Sequence, residues 1–123
     1  MAGNRQDLVS NKDKTKKYKI VLSKDALQDI KDNKSYILKN FKYREYAENF
    51  SKKIKGAIKA LDLFAEGDEK TGFKIEELEV YYKPYSTYLV FFVVEDTTVT
   101  VIRVLKDRMY WQAIINKMKK LNR

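Results

Sequence analysis

The chain contains neither histidine nor cysteine, and these two absences remove most of the chemistry on which small enzymes rely. Without cysteine there is no thiol nucleophile, no zinc ribbon and no disulfide framework. Without histidine the usual base for neutral pH and the commonest metal ligand are missing too, so no metal and no other cofactor is expected. Any catalysis has to use lysine, arginine, tyrosine or carboxylates. Apolar runs are short. None approaches the roughly 20 residues of a membrane-spanning helix, and the opening MAGNRQDLVSNKDKTKK lacks the apolar centre of a signal peptide. The expectation is a cytoplasmic protein with no membrane partner. Proline occurs once, at Pro84, and glycine four times, so turn punctuation is sparse.

Positive charge is abundant, at a net +9, but its placement matters more than its sum. Residues 1 to 20 carry +4, residues 21 to 105 balance to 0, and residues 106 to 123 carry +5. Inside the neutral middle, residues 24 to 59 hold ten cations against five anions, while residues 62 to 79 hold two against seven. The acidic run would repel a phosphate backbone, so a nucleic-acid surface should avoid it.

A length of 123 residues, 44% of them hydrophobic, fits one compact domain with its own core. Residues 1 to 16 are polar and without periodicity and read as a flexible arm, leaving 17 to 123 as a single domain. YKIVLS, 18 to 23, alternates as a strand does. Ser23 then suits a helix N-cap, with Asp25 in the first turn and Leu27, Ile30, Ile37 and Phe41 continuing at near-helical spacing to about residue 39. Ala47, Phe50, Ile54, Ala57, Ile58 and Leu61 mark one face of a second helix, and the short NFKY link makes the pair an antiparallel hairpin. EGDEKTG reads as a surface loop.

Three strand-like runs follow at about 76 to 83, 87 to 95 and 98 to 105, with Pro84 marking the first turn and Asp96 the second. In the middle run both alternating sets are apolar, as on a central strand covered on both faces. One cover is the helix hairpin. The other is the apolar stripe Trp111, Ile114, Ile115, Met118 and Leu121 of a short terminal helix. The architecture expected is α+β: an N-terminal strand, an αα-hairpin, a three-stranded antiparallel meander and a short C-terminal helix.

The segments YKIVLSKDALQDI, AENFSKKIKGAIKALD, YLVFFVV before an acidic turn, and VIRVLKDRMYWQAII, in this order and spacing, resemble the RelE/ParE superfamily of toxins from bacterial type II toxin–antitoxin modules. The resemblance covers about residues 18 to 118. It implies a toxin that arrests growth and is neutralised by a cognate antitoxin. RelE-like members cut messenger RNA in the ribosomal A site, where the ribosome helps orient the substrate; ParE-like members poison DNA gyrase without nuclease chemistry. Ribosome-dependent cleavage of mRNA is the first expectation. The gyrase poison is the alternative, and a degenerate non-toxic relative is the third.

For cleavage, a proton must leave the 2′-hydroxyl and charge grows on the phosphate. Arg108, Lys106, Arg103 and Tyr110 are the candidate catalytic residues: two arginine forks for phosphate oxygens, a lysine as charge or base, and a tyrosine as proton donor or stacking ring. Each has a plainer reading, in which Arg103 is a strand-end charge reaching solvent or pairing with an acid, Lys106 and Arg108 decorate a turn, and Tyr110 and Trp111 pack. Lys83 and Tyr85 are candidates for RNA contact, although the tyrosines around Pro84 also suit cross-strand packing. Trp111, Ile114, Ile115 and Met118 are the candidate antitoxin contacts. The sequence also departs from the family pattern. Lys106 stands where many relatives have histidine, EELEVYYK lacks an arginine many carry there, and Met109 follows Arg108 where several have a second arginine. The missing arginine and histidine favour the gyrase alternative.

Overall fold

The computed structural model describes residues 18–61 and 69–123; the expected arm lies outside them. The elements, in chain order, are β1 (Lys19–Leu22), α1 (Lys24–Asn40), α2 (Arg44–Lys59), β2 (Glu69–Ile75), β3 (Leu78–Tyr85), β4 (Tyr88–Glu95), β5 (Thr98–Lys106) and α3 (Trp111–Lys117). They form one five-stranded sheet in the order β1-β5-β4-β3-β2. β1 pairs parallel with β5, and the remaining neighbours are antiparallel. The expected α+β class and order of elements hold.

Ser23 joins the first two elements to the sheet. Its hydroxyl accepts the Ala26 N–H at 3.1 Å as a cap and donates to the Ile102 carbonyl at 3.2 Å, while its own N–H donates to the Val101 carbonyl at 2.9 Å. A cap worth about 1 kcal/mol in an isolated helix therefore also aligns α1 along β5. The face of α1 turned to the sheet is Ala26, Asp29, Ile30 and Ile37, not the expected Leu27 or Phe41, which are about half exposed.

β4 is buried on both faces, as its double apolar pattern requires. Val90 and Phe92 join Phe50, Ile54, Ile58 and Leu61 of the hairpin side. Leu89, Phe91 and Val93 join Ile75, Val80, Ile102 and Ile115 under the C-terminal segment. That segment continues past α3: Leu121 is fully buried, its N–H donates to a Glu76 carboxylate oxygen at 3.0 Å, and the Asn122 carbonyl accepts the Lys24 N–H at 3.0 Å.

Three local expectations are corrected. Part of the EGDEKTG loop is strand: Glu69–Ile75 pairs with β3, with a register shift between Lys70 and Lys74 and Gly72 at φ +90°. An edge strand needs little apolar surface, and only Ile75 of β2 is buried, so alternation is too weak to betray it. The meander accordingly has one strand more than expected. Pro84 is in β3 opposite Leu89, and the turn is Ser86–Thr87, with Ser86 at φ 58°. Because bonded and non-bonded pairs alternate from the turn-closing pair Tyr85 and Tyr88, the missing N–H of Pro84 faces away from β4. On that side β2 has already ended, since Glu69 pairs with Tyr82. Finally, a bulge sets Phe91 opposite Arg103 while Phe92 pairs with Val101. The extra residue shifts the alternation, so Leu105 lies on the opposite face from Val101, where strict alternation along a strand would set the two on one face.

Candidate functional site

The end of β5 reaches the surface beside the C-terminal half of α1 and the start of α2, and there the chain forms a cleft of about 570 Å³. Tyr36 and Ile37 come from α1, Phe41 from the interhelical link, Tyr46 from α2, Thr87 and Tyr88 from the β3–β4 hairpin, and Lys106, Asp107 and Arg108 from the end of β5. Backbone bonds hold the basic turn in place: the Asp107 N–H donates to the Thr87 carbonyl at 2.8 Å, and the Met109 N–H to the Lys106 carbonyl at 3.1 Å. The Lys106 ammonium lies 4.1 Å from the centroid of the Tyr36 ring, an attraction worth about 0.5–1 kcal/mol at an exposed site. Neither Lys106 nor Arg108 has a carboxylate partner among the described residues.

The walls are aromatic and wet. Tyr36 is 50% exposed, Phe41 49% and Tyr46 49%, and Tyr46 is met edge-on by Phe41 and by Tyr43, at 5.8 and 5.9 Å between centroids. Tyr88 is deeper, 5.1 Å from Phe50, and burial, with a smaller contribution from Tyr36, holds its hydroxyl above the ordinary phenol pKa. That shift moves it away from neutral pH, so Tyr88 is not a base. Tyr36, Phe41 and Tyr46 escaped the sequence reading, although the density of aromatics in YILKNFKYREY off the stripe of α2 was a usable signal.

The candidate catalytic set does not assemble. Lys106 and Arg108 line the cleft, but Tyr110 is 76% exposed and lies outside its lining. Arg103 is committed elsewhere. Its Nε and Nη2 donate to the two Asp29 carboxylate oxygens, each at 2.8 Å, and Asp29 Oδ2 also accepts the Val104 N–H at 2.8 Å. Hydrogen bonding to Asp29 raises the guanidinium pKa against the opposing effect of burial. The fork that the sequence reading assigned to phosphate is thus filled by a carboxylate on α1, and the plainer reading of Arg103 as a charge paired with an acid describes it. Asp29 was not singled out, because its partner lies 74 residues away and a lone acid on a helix carries no local signal.

Lys83 and Tyr85 line a separate groove of about 350 Å³ against Lys53, Gly56 and Ala57 of α2 and Ala60 just after it. Tyr81, Tyr82 and Tyr88 all meet other rings, at 5.5 Å to Phe92, 6.1 Å to Phe91 and 5.1 Å to Phe50, so packing accounts for them. Of the candidate antitoxin contacts, Ile115 is buried in the chain's own core, and Trp111, Ile114 and Met118 pack against the same cluster. Trp111 lies 5.2 Å from Phe91 and 5.8 Å from Tyr82. Ile115 is therefore closed to a partner in this arrangement, because the terminal helix covers the very face that needed a cover.

The family model described as the ParE toxin of the type II toxin–antitoxin system, parDE, matches residues 20–111. The chain belongs to the ParE toxin family. A solved structure of the chromosomal ParDE toxin–antitoxin system from P. aeruginosa resembles this toxin's fold with a TM-score of 0.59 at 12% identity, over 72% of this chain and 95% of that one. No curated protein sequence matches it. Membership in a toxin–antitoxin family gives this toxin a cognate antitoxin as partner. The family match ends at Trp111, so it includes the whole basic turn and both walls of the cleft but not the terminal cover of the sheet. Among the described residues no helix is long and apolar enough to cross a membrane.

Proposed function

We propose that this ParE-family toxin acts by binding, as a poison of DNA gyrase, and not by cutting RNA. The observation that carries the reading is the dispersal of the candidate nuclease residues: Arg103 is locked to Asp29, Tyr110 stands outside the cleft, and only Lys106 and Arg108 line it. General acid–base catalysis needs groups within hydrogen-bond reach of one another's substrate atoms. Two cations on an aromatic cleft have the chemistry of recognition: they attract and orient an anionic partner. The family match supports the same reading, as do the histidine replaced by Lys106 and the arginine missing from EELEVYYK.

RNA cleavage on the ribosome is the second reading, favoured by one feature, the exposed rings of Tyr36 and Tyr46 beside Lys106 and Arg108. Purified toxin added to gyrase and supercoiled DNA should trap cleaved DNA, while messenger on programmed ribosomes stays whole. Cuts at A-site codons with gyrase unaffected would reverse the order of the two readings. Addition of the cognate antitoxin should abolish whichever activity is seen.

A further inference from the structure

We infer that the cleft at the end of β5 receives an unstacked nucleotide of a single-stranded nucleic acid, its base against the rings of the α1–α2 elbow and its phosphate on Lys106 and Arg108. The inference deepens the gyrase reading, since it makes the nucleic acid held by the target part of what the toxin grips, but it stands on the cleft alone.

The fold leaves two rings of the elbow unused. Phe41 and Tyr46 are about half exposed and belong to neither core cluster. Water-facing rings of this kind contribute little to stability, yet they meet at right angles, a contact that takes up a face of only one ring of the pair. Base–aromatic stacking is worth about 1–3 kcal/mol per base and tolerates any base. Beside the rings stand two cations with no carboxylate partner among the described residues, and Lys106 is held 4.1 Å above Tyr36. A positive charge fixed next to a ring matches the alternation of phosphate and base along a strand. The volume of about 570 Å³ falls in the range of small-ligand sites, ~300–1,000 Å³.

Charge placement separates this occupant from an acidic peptide. Asp107 is the single carboxylate among the residues lining the cleft. A peptide carrying several carboxylates would meet it with repulsion, whereas a nucleotide concentrates its charge at one phosphate and can offer base amino hydrogens to Asp107 as an acceptor. Of the described acidic residues of the sheet, Glu76, Glu77, Glu79, Glu95 and Asp96 lie at the opposite ends of the strands, and Glu69 is on the far edge strand β2.

The test is fluorescence anisotropy of the full chain with short labelled oligonucleotides, deoxyribo and ribo, of mixed sequence. The result expected is binding weakened about tenfold or more by Tyr46→Ala and by Arg108→Ala, retained by Tyr46→Phe, and falling with salt with a slope of about −0.7 for one phosphate neutralised on a single strand. Among the described rings Tyr46 contacts only Phe41 and Tyr43, so the variant should fold, and circular dichroism checks that it does. Preference for the deoxyribo strand ties the cleft to DNA. Preference for the ribo strand keeps the cleft assignment while pointing away from gyrase. Absence of oligonucleotide binding, or binding unchanged by Tyr46→Ala, overturns the inference, as does an acidic peptide that binds the cleft where oligonucleotides do not. Trapped gyrase–DNA breaks that persist in a Tyr46→Ala toxin that no longer binds oligonucleotide would overturn the link between the cleft and gyrase poisoning and leave the gyrase reading standing.

Discussion

At one end of the sheet the turns Glu76–Glu77 and Asp96–Thr97, with Glu79 and Glu95 beside them, gather carboxylates; at the other, the hairpin Ser86–Thr87 and the turn after β5 carry Lys106 and Arg108. Two carboxylates of the acidic end, Glu76 and Glu95, are answered within the fold. Arg123 donates to Glu95 at 2.8 Å and to Glu76 at 3.4 Å, and Glu76 also holds the Leu121 N–H. Glu76 and Glu77 accept positive φ of 53° and 70°, a conformation that costs a non-glycine residue roughly 1–2 kcal/mol, and the Glu76 side chain ties down the tail. The basic end is unanswered. Its cations meet a ring or solvent but no described carboxylate, and its aromatic rings stay wet. Charges at the first end hold the chain together, while those at the second do little for the fold and remain for a partner. Arg103, between the two ends along β5, belongs with the first kind.

The largest effect that can sharpen this division comes from Asp29→Ala. It would leave Arg103 and the Val104 N–H unpaired in a site where Asp29 is only 8% exposed, and should cost about 3 kcal/mol, the low end for a broken buried pair because Arg103 keeps some water. Urea unfolding measures it, and Arg103→Lys should share much of the loss because lysine has no fork. A midpoint unmoved by either change would show that the pair is ornamental. Next comes Leu121→Ala, expected to cost about 2–3 kcal/mol as a large-to-small change at a fully buried site. If the tail frays in solution instead, the loss will be negligible and amide exchange of Leu121 fast.

Arg123→Ala is a smaller change. Its pairs are exposed, at 46% for Arg123 and 37% and 58% for its partners, so less than about 1 kcal/mol is expected and added salt should erase it. The smallest effect on stability belongs to Arg108→Ala, which should leave the unfolding midpoint where it was and still abolish growth arrest. Arg108→Lys should be nearly as harmful, because lysine cannot reproduce a forked contact. Full toxicity in the Arg108→Ala toxin would remove the basic end from the site and collapse the contrast between the two ends.

Local patterns carried much of the architecture. The stripe Phe50, Ile54, Ile58 and Leu61 repeats at helical spacing and is buried as the spacing requires; a hydroxyl before an acidic first turn caps α1. A strand with two apolar faces must be covered twice, and α3 was the remaining segment able to supply the second cover. These features are legible because each depends on residues within a few positions of one another. Part of the site was legible for the same reason: Lys106 and Arg108 stand together in the chain after an aliphatic strand, and both line the cleft.

What only the tertiary structure decided involves distant or weakly patterned residues. β2 is polar because an edge strand can be, so its sequence resembled a loop. The bulge opposite Phe91 changes which face Leu105 occupies, through one extra residue that alternation alone cannot place. The role of Arg103 was set by Asp29, 74 residues earlier, and the walls of the cleft come from residues 36–46 meeting residues 87–108. From the sequence came the elements and their apolar faces, since periodicity is a property of neighbours. The partner of each charge emerged only when the folded chain brought α1 against β5, because an arginine becomes a clamp or a free cation according to what stands within about 3 Å of its fork.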